Sequence, residues 1–66
     1  MNLTVNGETR TFEPLANLSV LVSALGLDGR KVAIERNLEI VPRSAYGKTW
    51  LADGDRIEIV HFIGGG

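Results

Sequence analysis

The 66-residue sequence predicts a two-layer α+β domain, a mixed sheet of four to five strands with one main helix packed across one face. Three observations lead there. An Asn6-Gly7 pair joins two extended runs near the start, a single apolar stripe at helical spacing follows, and an alternating segment stands at 56–62. A lone amphipathic helix and a sheet with one apolar face satisfy each other, because each covers the surface the other must hide.

Residues 2–6 put Leu3 and Val5 on one face of a strand, and 8–13 continue in extended style. Asn-Gly between such runs is a hairpin signal, since both residues tolerate the positive φ of a type I′ turn. The first two strands are therefore antiparallel neighbours. Pro14 ends the second strand, and Asn17 is placed to cap a helix by accepting a bond from a free N–H of its first turn. Leu18, Leu21, Val22 and Leu25 fall at i, i+3, i+4 and i+7, which predicts a helix over 17–26 with Gly26 in the left-handed position at its end. Asp28-Gly29 turns the chain into a third strand at 32–36, Asn37 turns it back into a short fourth at 39–41, and Pro42 stops that strand. A turn or short helical piece is expected at 44–47, extended chain at 49–51 and a turn at Asp53-Gly54 before the last strand, giving the order β-β-α-β-β-β.

Along 56–62, alternation places Ile57, Ile59 and His61 on one face and Arg56, Glu58, Val60 and Phe62 on the other. Ile57 and Ile59 are assigned to the core because Arg56 and Glu58 need water. Val60 and Phe62 are then exposed on the outer face, as a candidate docking surface.

Composition removes several classes of function. A domain this short buries only about 60% of the surface its unfolded chain exposes and has no room for an elaborate cleft, so an enzyme in its own right is not expected. Its 44% hydrophobic residues supply a core, while zero cysteines and one histidine exclude disulfides, thiolate nucleophiles, zinc knuckles and iron–sulfur clusters. Seven basic and eight acidic residues form no run of either sign, which argues against a nucleic-acid-binding arm. No stretch approaches the roughly 20 apolar residues of a membrane span, and no signal-peptide pattern opens the chain. A soluble cytoplasmic protein is expected, and the triplets Asn2-Leu3-Thr4 and Asn17-Leu18-Ser19 are read as coincidental rather than glycosylated.

The unusual feature is the end, Gly64-Gly65-Gly66. A glycine tail has no side chain to obstruct it, so it can enter a narrow channel and present a carboxylate to another protein's active site. Three residues reach at most about 10 Å. A frayed terminus is the plain alternative, but a strand running straight into the tail lets folding fix where the carboxylate emerges. Gly47-Lys48-Thr49 matches the end of a phosphate-binding loop, yet Pro42 stands where the first glycine of that loop belongs and no long helix follows, so no ATP site is expected. His61 has no second histidine or cysteine with which to share a metal and is read as a strand residue touching solvent or a partner. Glu35 and Arg36, adjacent on a strand, point to opposite faces and are read as separate surface charges. Of the aromatics Trp50 and Tyr46, either of which could touch a partner, Trp50 is expected in the core.

These residues resemble a known family, the ubiquitin-like β-grasp sulfur carriers, and among them the ThiS-type carriers of thiamine biosynthesis. The resemblance covers essentially the whole chain. It rests on Val32-Ala33-Ile34-Glu35-Arg36-Asn37 with Glu39-Ile40-Val41, on the stretch from Leu51-Ala52-Asp53-Gly54-Asp55 to Arg56-Ile57-Glu58-Ile59-Val60, and on His61-Phe62-Ile63 running into the terminal glycines. It implies a β-grasp domain over 1–63, with the first and last strands parallel at the centre of the sheet and the helix behind them, and a flexible tail over 64–66. It also implies a mechanism in which an E1-like adenylyltransferase of the ThiF type uses ATP to convert the Gly66 carboxylate to an acyl-adenylate, and sulfur displaces AMP to leave a thiocarboxylate.

On the same resemblance, a persulfide donor such as a cysteine desulfurase supplies the sulfur and a thiazole synthase of the ThiG type receives it. Gly66 carries it, Gly64 and Gly65 give reach, and Val60, His61, Phe62 and Ile63 contact the partners. The carrier itself is expected to be a monomer when free, without bound cofactor or metal. Three glycines rather than two bear on which residue sits outside the partner's channel. A molybdopterin-type carrier shares the chemistry, but the compact length and the Glu35-Arg36-Asn37 and His61-Phe62-Ile63 stretches favour thiazole. A ubiquitin-like modifier forming isopeptide bonds and a plain interaction module with an inert tail are the alternatives from other classes.

Overall fold

The two central residues of the first turn, Asn6 and Gly7, have φ of 49° and 82°, the mirror-image turn the Asn-Gly pair favours. In this computed structural model, which describes residues 1–62, that turn joins β1 (Asn2–Val5) to β2 (Glu8–Thr11) with Val5 opposite Glu8 and Asn2 opposite Thr11. Strand β2 stops two residues short of the expected 13. Phe12 still exchanges backbone hydrogen bonds with Met1, and Pro14, which has no N–H to give a ladder, follows.

Helix α1 (Leu18–Ala24) is bounded by the residues the sequence named. The Asn17 side chain accepts a hydrogen bond from the Val20 N–H at 3.0 Å. At the other end Gly26 has φ of 72°, with the Gly26 N–H donating to Ser23 O and the Leu27 N–H to Val22 O, both at 3.0 Å. This paired closure satisfies carbonyls that a helix end leaves free and requires a left-handed residue, hence glycine. Leu18, Leu21 and Val22 are buried on its inner face.

A 3₁₀ turn at Gly29–Lys31 leads into β3 (Val32–Arg36), which pairs antiparallel with β4 (Glu39–Val41). A second 3₁₀ segment, Arg43–Lys48, precedes β5 (Arg56–His61). The sheet has five strands in the order β2-β1-β5-β3-β4, with β1 and β5 parallel and every other pair antiparallel. The first and last strands thus lie side by side within the sheet, as the resemblance implied. The core combines Leu3, Val5, Val32, Ile34, Ile57 and Ile59 from the sheet with Leu18, Leu21 and Val22 from α1, closed by Tyr46.

Three expectations are corrected. Trp50 is 66% exposed and Tyr46 is the buried aromatic; the 3₁₀ segment turns Tyr46 inward, where its hydroxyl donates to Val32 O at 3.2 Å and so keeps its polar end satisfied in the core. The stretch 49–51 forms no strand, only an isolated antiparallel bridge between Asn17 and Trp50. Arg36 is not a separate surface charge: its Nε donates to Asp55 Oδ2 at 2.9 Å, on the opposite side of the sheet from Glu35.

Asn37 turns the chain as expected, but the left-handed residue after it has no sequence signal. The two-residue β3–β4 turn puts Asn37 at φ 50° and Leu38 at φ 72°, and Leu38 is 75% exposed. A left-handed conformation costs a residue with a Cβ about 1–2 kcal/mol, while the greater chain entropy glycine loses returns about 0.5–1 kcal/mol of that difference. Leu38→Gly should therefore stabilise the domain by about 0.5–1 kcal/mol, seen as a melting temperature raised by a few degrees. An unchanged or lower value would mean that the Leu38 side chain contributes packing its exposure does not suggest.

Candidate functional site

The site is built on the last strand, whose two neighbours run out at different points. On one side β1 pairs with β5 only to Ile57, after which Asn6 takes over. Its backbone N–H donates to Ile57 O at 2.9 Å, and its side-chain amide accepts from the Ile59 N–H at 2.7 Å and donates to Ile59 O at 3.2 Å. One asparagine side chain thereby stands in for another strand residue. On the other side β3 stays with β5 to the end, pairing Ala33 with Val60 and Val32 with His61, and the Phe62 N–H donates to Lys31 O at 2.9 Å. Val60 and His61 are thus held by β3, and Phe62 by the last residue of the 3₁₀ turn before it.

The beginning of β5 is pinned by Asp55, the one buried charged residue among those described, at 6% exposure. Its Oδ2 accepts from the Arg36 Nε–H at 2.9 Å and the Ala52 N–H at 2.8 Å, and its Oδ1 accepts from Asn37 Nδ2 at 3.0 Å. Asn37 in turn exchanges hydrogen bonds with the Arg56 backbone. Burial pushes the Asp55 carboxyl up, but the hydrogen bonds from Ala52, Asn37 and Arg36 and the Arg36 charge outweigh it and hold the group below its ordinary 3.8. Good hydrogen bonds to the charged form make this buried carboxylate tolerable.

Val60 and Phe62 are 62% and 59% exposed, and His61 is exposed between them. Ile40 on the neighbouring hairpin, absent from the sequence-based site, is 78% exposed. A three-residue strand shows no periodicity, but the register places Ile40 opposite Glu35 on the outer face. Ala33 and Ile40 line a groove with Val60 and a second one with Phe62, so the exposed apolar residues form a continuous strip beside the end of β5. The expectations for Ile63, Gly64, Gly65 and Gly66 lie outside the described residues.

The remaining candidates carry no site. Gly47-Lys48-Thr49 closes a 3₁₀ segment instead of opening a helix, and the Thr49 hydroxyl donates to Ala45 O at 2.8 Å. Among the described residues no three His, Cys, Asp or Glu side chains converge to hold a metal, and no helix is long and apolar enough to cross a membrane.

A five-stranded sheet with parallel first and last strands and one helix across a single face defines a ubiquitin-like β-grasp domain. The ThiS family model matches residues 3–66, and the chain belongs to that family. It is 40% identical to the thiamine biosynthesis protein ThiS of Geobacter metallireducens, whose crystal structure superposes with a TM-score of 0.85 over the whole of both chains. The sulfur carrier protein ThiS of Bacillus subtilis is 46% identical over 46 residues, 70% of each chain. The thiazole synthase of Paramagnetospirillum magneticum is 54% identical over 66 residues, all of this chain and 20% of that protein. The chain therefore spans about one fifth of the length of that enzyme.

The Asp55 network yields a pH-dependent prediction. A carboxyl held below its ordinary value in the fold contributes stability that is fully present above the unfolded value of 3.8 and is lost as pH falls through the folded one. Removing one partner of a buried pair costs roughly 3–5 kcal/mol, less here because Arg36 is partly in water, so Asp55→Asn should cost about 2 kcal/mol near neutral pH. The gap between variant and parent should close as the pH is lowered below 3.8, as read by urea denaturation across that range. A gap independent of pH would show that the carboxylate charge is not what stabilises the start of β5.

Proposed function

We propose that the chain is a sulfur carrier of thiamine biosynthesis, not an enzyme but a protein cosubstrate loaded at Gly66. The observation that carries the reading is the last strand, which ends among exposed apolar side chains and feeds the glycine tail, in a chain alike to ThiS along its whole length. The division of labour is a folded domain over 1–63, which partners recognise, and a tail over 64–66, which reacts.

A free carboxylate resists nucleophiles because its charge is delocalised and its leaving group would be oxide. An E1-like adenylyltransferase of the ThiF type overcomes this with ATP, forming a mixed anhydride at Gly66 from which AMP is a good leaving group. Sulfur from a persulfide donor, such as a cysteine desulfurase, displaces AMP and leaves a thiocarboxylate. A thiazole synthase of the ThiG type then takes the sulfur into the thiazole ring. Two thiazole synthases that contain a segment similar to this chain support that last partnership. Gly64 and Gly65 supply reach into the partner's channel, and Val60, His61, Phe62 and Ile63 make the contacts around its mouth. The carrier works in the cytoplasm, as a monomer when free, and ATP belongs to the activating enzyme.

Deleting Gly66 should abolish ATP–pyrophosphate exchange by the adenylyltransferase while leaving the melting temperature unchanged. Exchange persisting at the parental rate would refute Gly66 as the activated residue. Phe62→Asp should weaken binding to the same enzyme about tenfold or more without loss of thermal stability, since Phe62 is 59% exposed. A large fall in melting temperature would instead place Phe62 in the fold rather than at an interface. Stable conjugates to lysines of other proteins would favour the modifier reading.

A further inference from the structure

Asn6 does more than turn the chain. A type I′ turn accepts Asn, Asp or Gly at its first central position, so the φ of 49° there does not by itself select asparagine. What distinguishes the side chain is a single amide that accepts from the Ile59 N–H at 2.7 Å and donates to Ile59 O at 3.2 Å. A carboxylate has no donor for that carbonyl, and glycine has neither group. Asn6 therefore satisfies both backbone groups that Ile59 turns toward the β1 side, where the pairing with β1 has already ended at Ile57.

The place of this clamp along β5 gives it weight. Ile59 is 8% exposed and is the last buried residue of the strand, whereas Val60, His61 and Phe62 are exposed. Past Ile59 little burial offsets the entropy lost in ordering the backbone. Pairing with β3 and the Phe62 N–H bond to Lys31 O hold these residues on one side only. A strand end held on one side opens locally unless the residue before it is fixed. Asn6 fixes that residue from 53 positions away in the chain.

We propose that Asn6 is a positioning residue for the reaction at Gly66: its amide locks β5 at Ile59 and so sets the place and direction from which the chain beyond Phe62 leaves the domain. This rests on the sulfur-carrier reading above. A carrier whose strand end has opened must be ordered again each time the adenylyltransferase takes up its tail. The apparent affinity then falls with the fraction of molecules in the competent form. In the saturated complex the strand is back in place, so turnover is unchanged. Asn6 acts through Ile59, not on the carboxylate itself.

The test compares the full parent chain with Asn6→Gly and Asn6→Asp, both of which the turn accepts, in ATP–pyrophosphate exchange by the adenylyltransferase well below the melting temperature of every variant. Asn6→Gly should raise KM for the carrier about three- to tenfold, the scale of two lost hydrogen bonds, and leave kcat within about twofold. Asn6→Asp keeps the acceptor and loses the donor, so its KM should fall between the two. Hydrogen exchange gives an independent readout. In Asn6→Gly the Phe62 N–H, which bonds to Lys31 O and not to Asn6, should exchange about tenfold faster, while the Leu25 N–H, bonded to Leu21 O in α1, keeps its parental rate. A purely structural role would instead speed both amides and lower the melting temperature with KM unchanged. That result, or a parental KM in a folded Asn6→Gly, overturns the proposal and leaves the carrier reading intact. If Asn6→Gly does not fold, a parental KM for Asn6→Asp overturns it in the same way. A parent chain that supports no pyrophosphate exchange overturns the carrier reading together with this one.

Discussion

The parallel contact between β1 and β5 is the constraint on which the rest of the structure depends. Two parallel strands cannot be joined by a tight turn, so every residue between them must form the crossover. That crossover contains α1, the β3–β4 hairpin and both 3₁₀ segments. The result places β5 between β1 and β3, with Ile57 fully buried at the point where β1 meets it. Side chains lengthen and anchor this short contact. Asn6 carries the hydrogen bonding on to Ile59, and Asp55 ties the approach to β5 to Arg36 and Asn37. The last strand is therefore tied down at its start by side chains from several elements, while its last residues pair with β3.

The two faces of the sheet have separate tasks. The inner face, with α1 and Tyr46 against it, contains the apolar side chains whose burial stabilises so small a domain. Among the described residues no layer covers the outer face, yet it is not uniformly polar. Asn2, Thr4, Thr9 and Thr11 occupy the β2–β1 side, whereas Ala33, Ile40, Val60 and Phe62 gather toward β4 and the end of β5. Apolar area on the outer face adds nothing to the core and favours association, so its concentration beside the end of β5 marks a candidate docking surface.

Much of this was legible in the sequence because local chemistry specified it. Asn6-Gly7 sets a mirror-image turn, Asn17 caps α1, Gly26 closes it, and the alternation along 56–62 sorted Ile57 and Ile59 from Val60 and Phe62. What escaped depends on contacts between distant residues. Arg36 and Asp55 are 19 positions apart, and no pattern in either segment announces the pair. Tyr46 and Trp50 competed for one space in the core, and the turn geometry of a 3₁₀ segment, which has no amphipathic period, decided it. Ile40 sits on a strand too short to show alternation, so its place on the outer face emerged only from the register with β3.

The central claim is that this domain exists to present one activated carboxylate, at Gly66. It is tested most directly by intact-mass spectrometry of the chain before and after incubation with ATP, the adenylyltransferase and a persulfide sulfur source, with each omitted in turn. The account predicts a mass gain equal to replacing one oxygen by sulfur, confined to the C-terminal fragment and absent without ATP. An unchanged mass, with the same enzyme shown to load a known carrier, would contradict it.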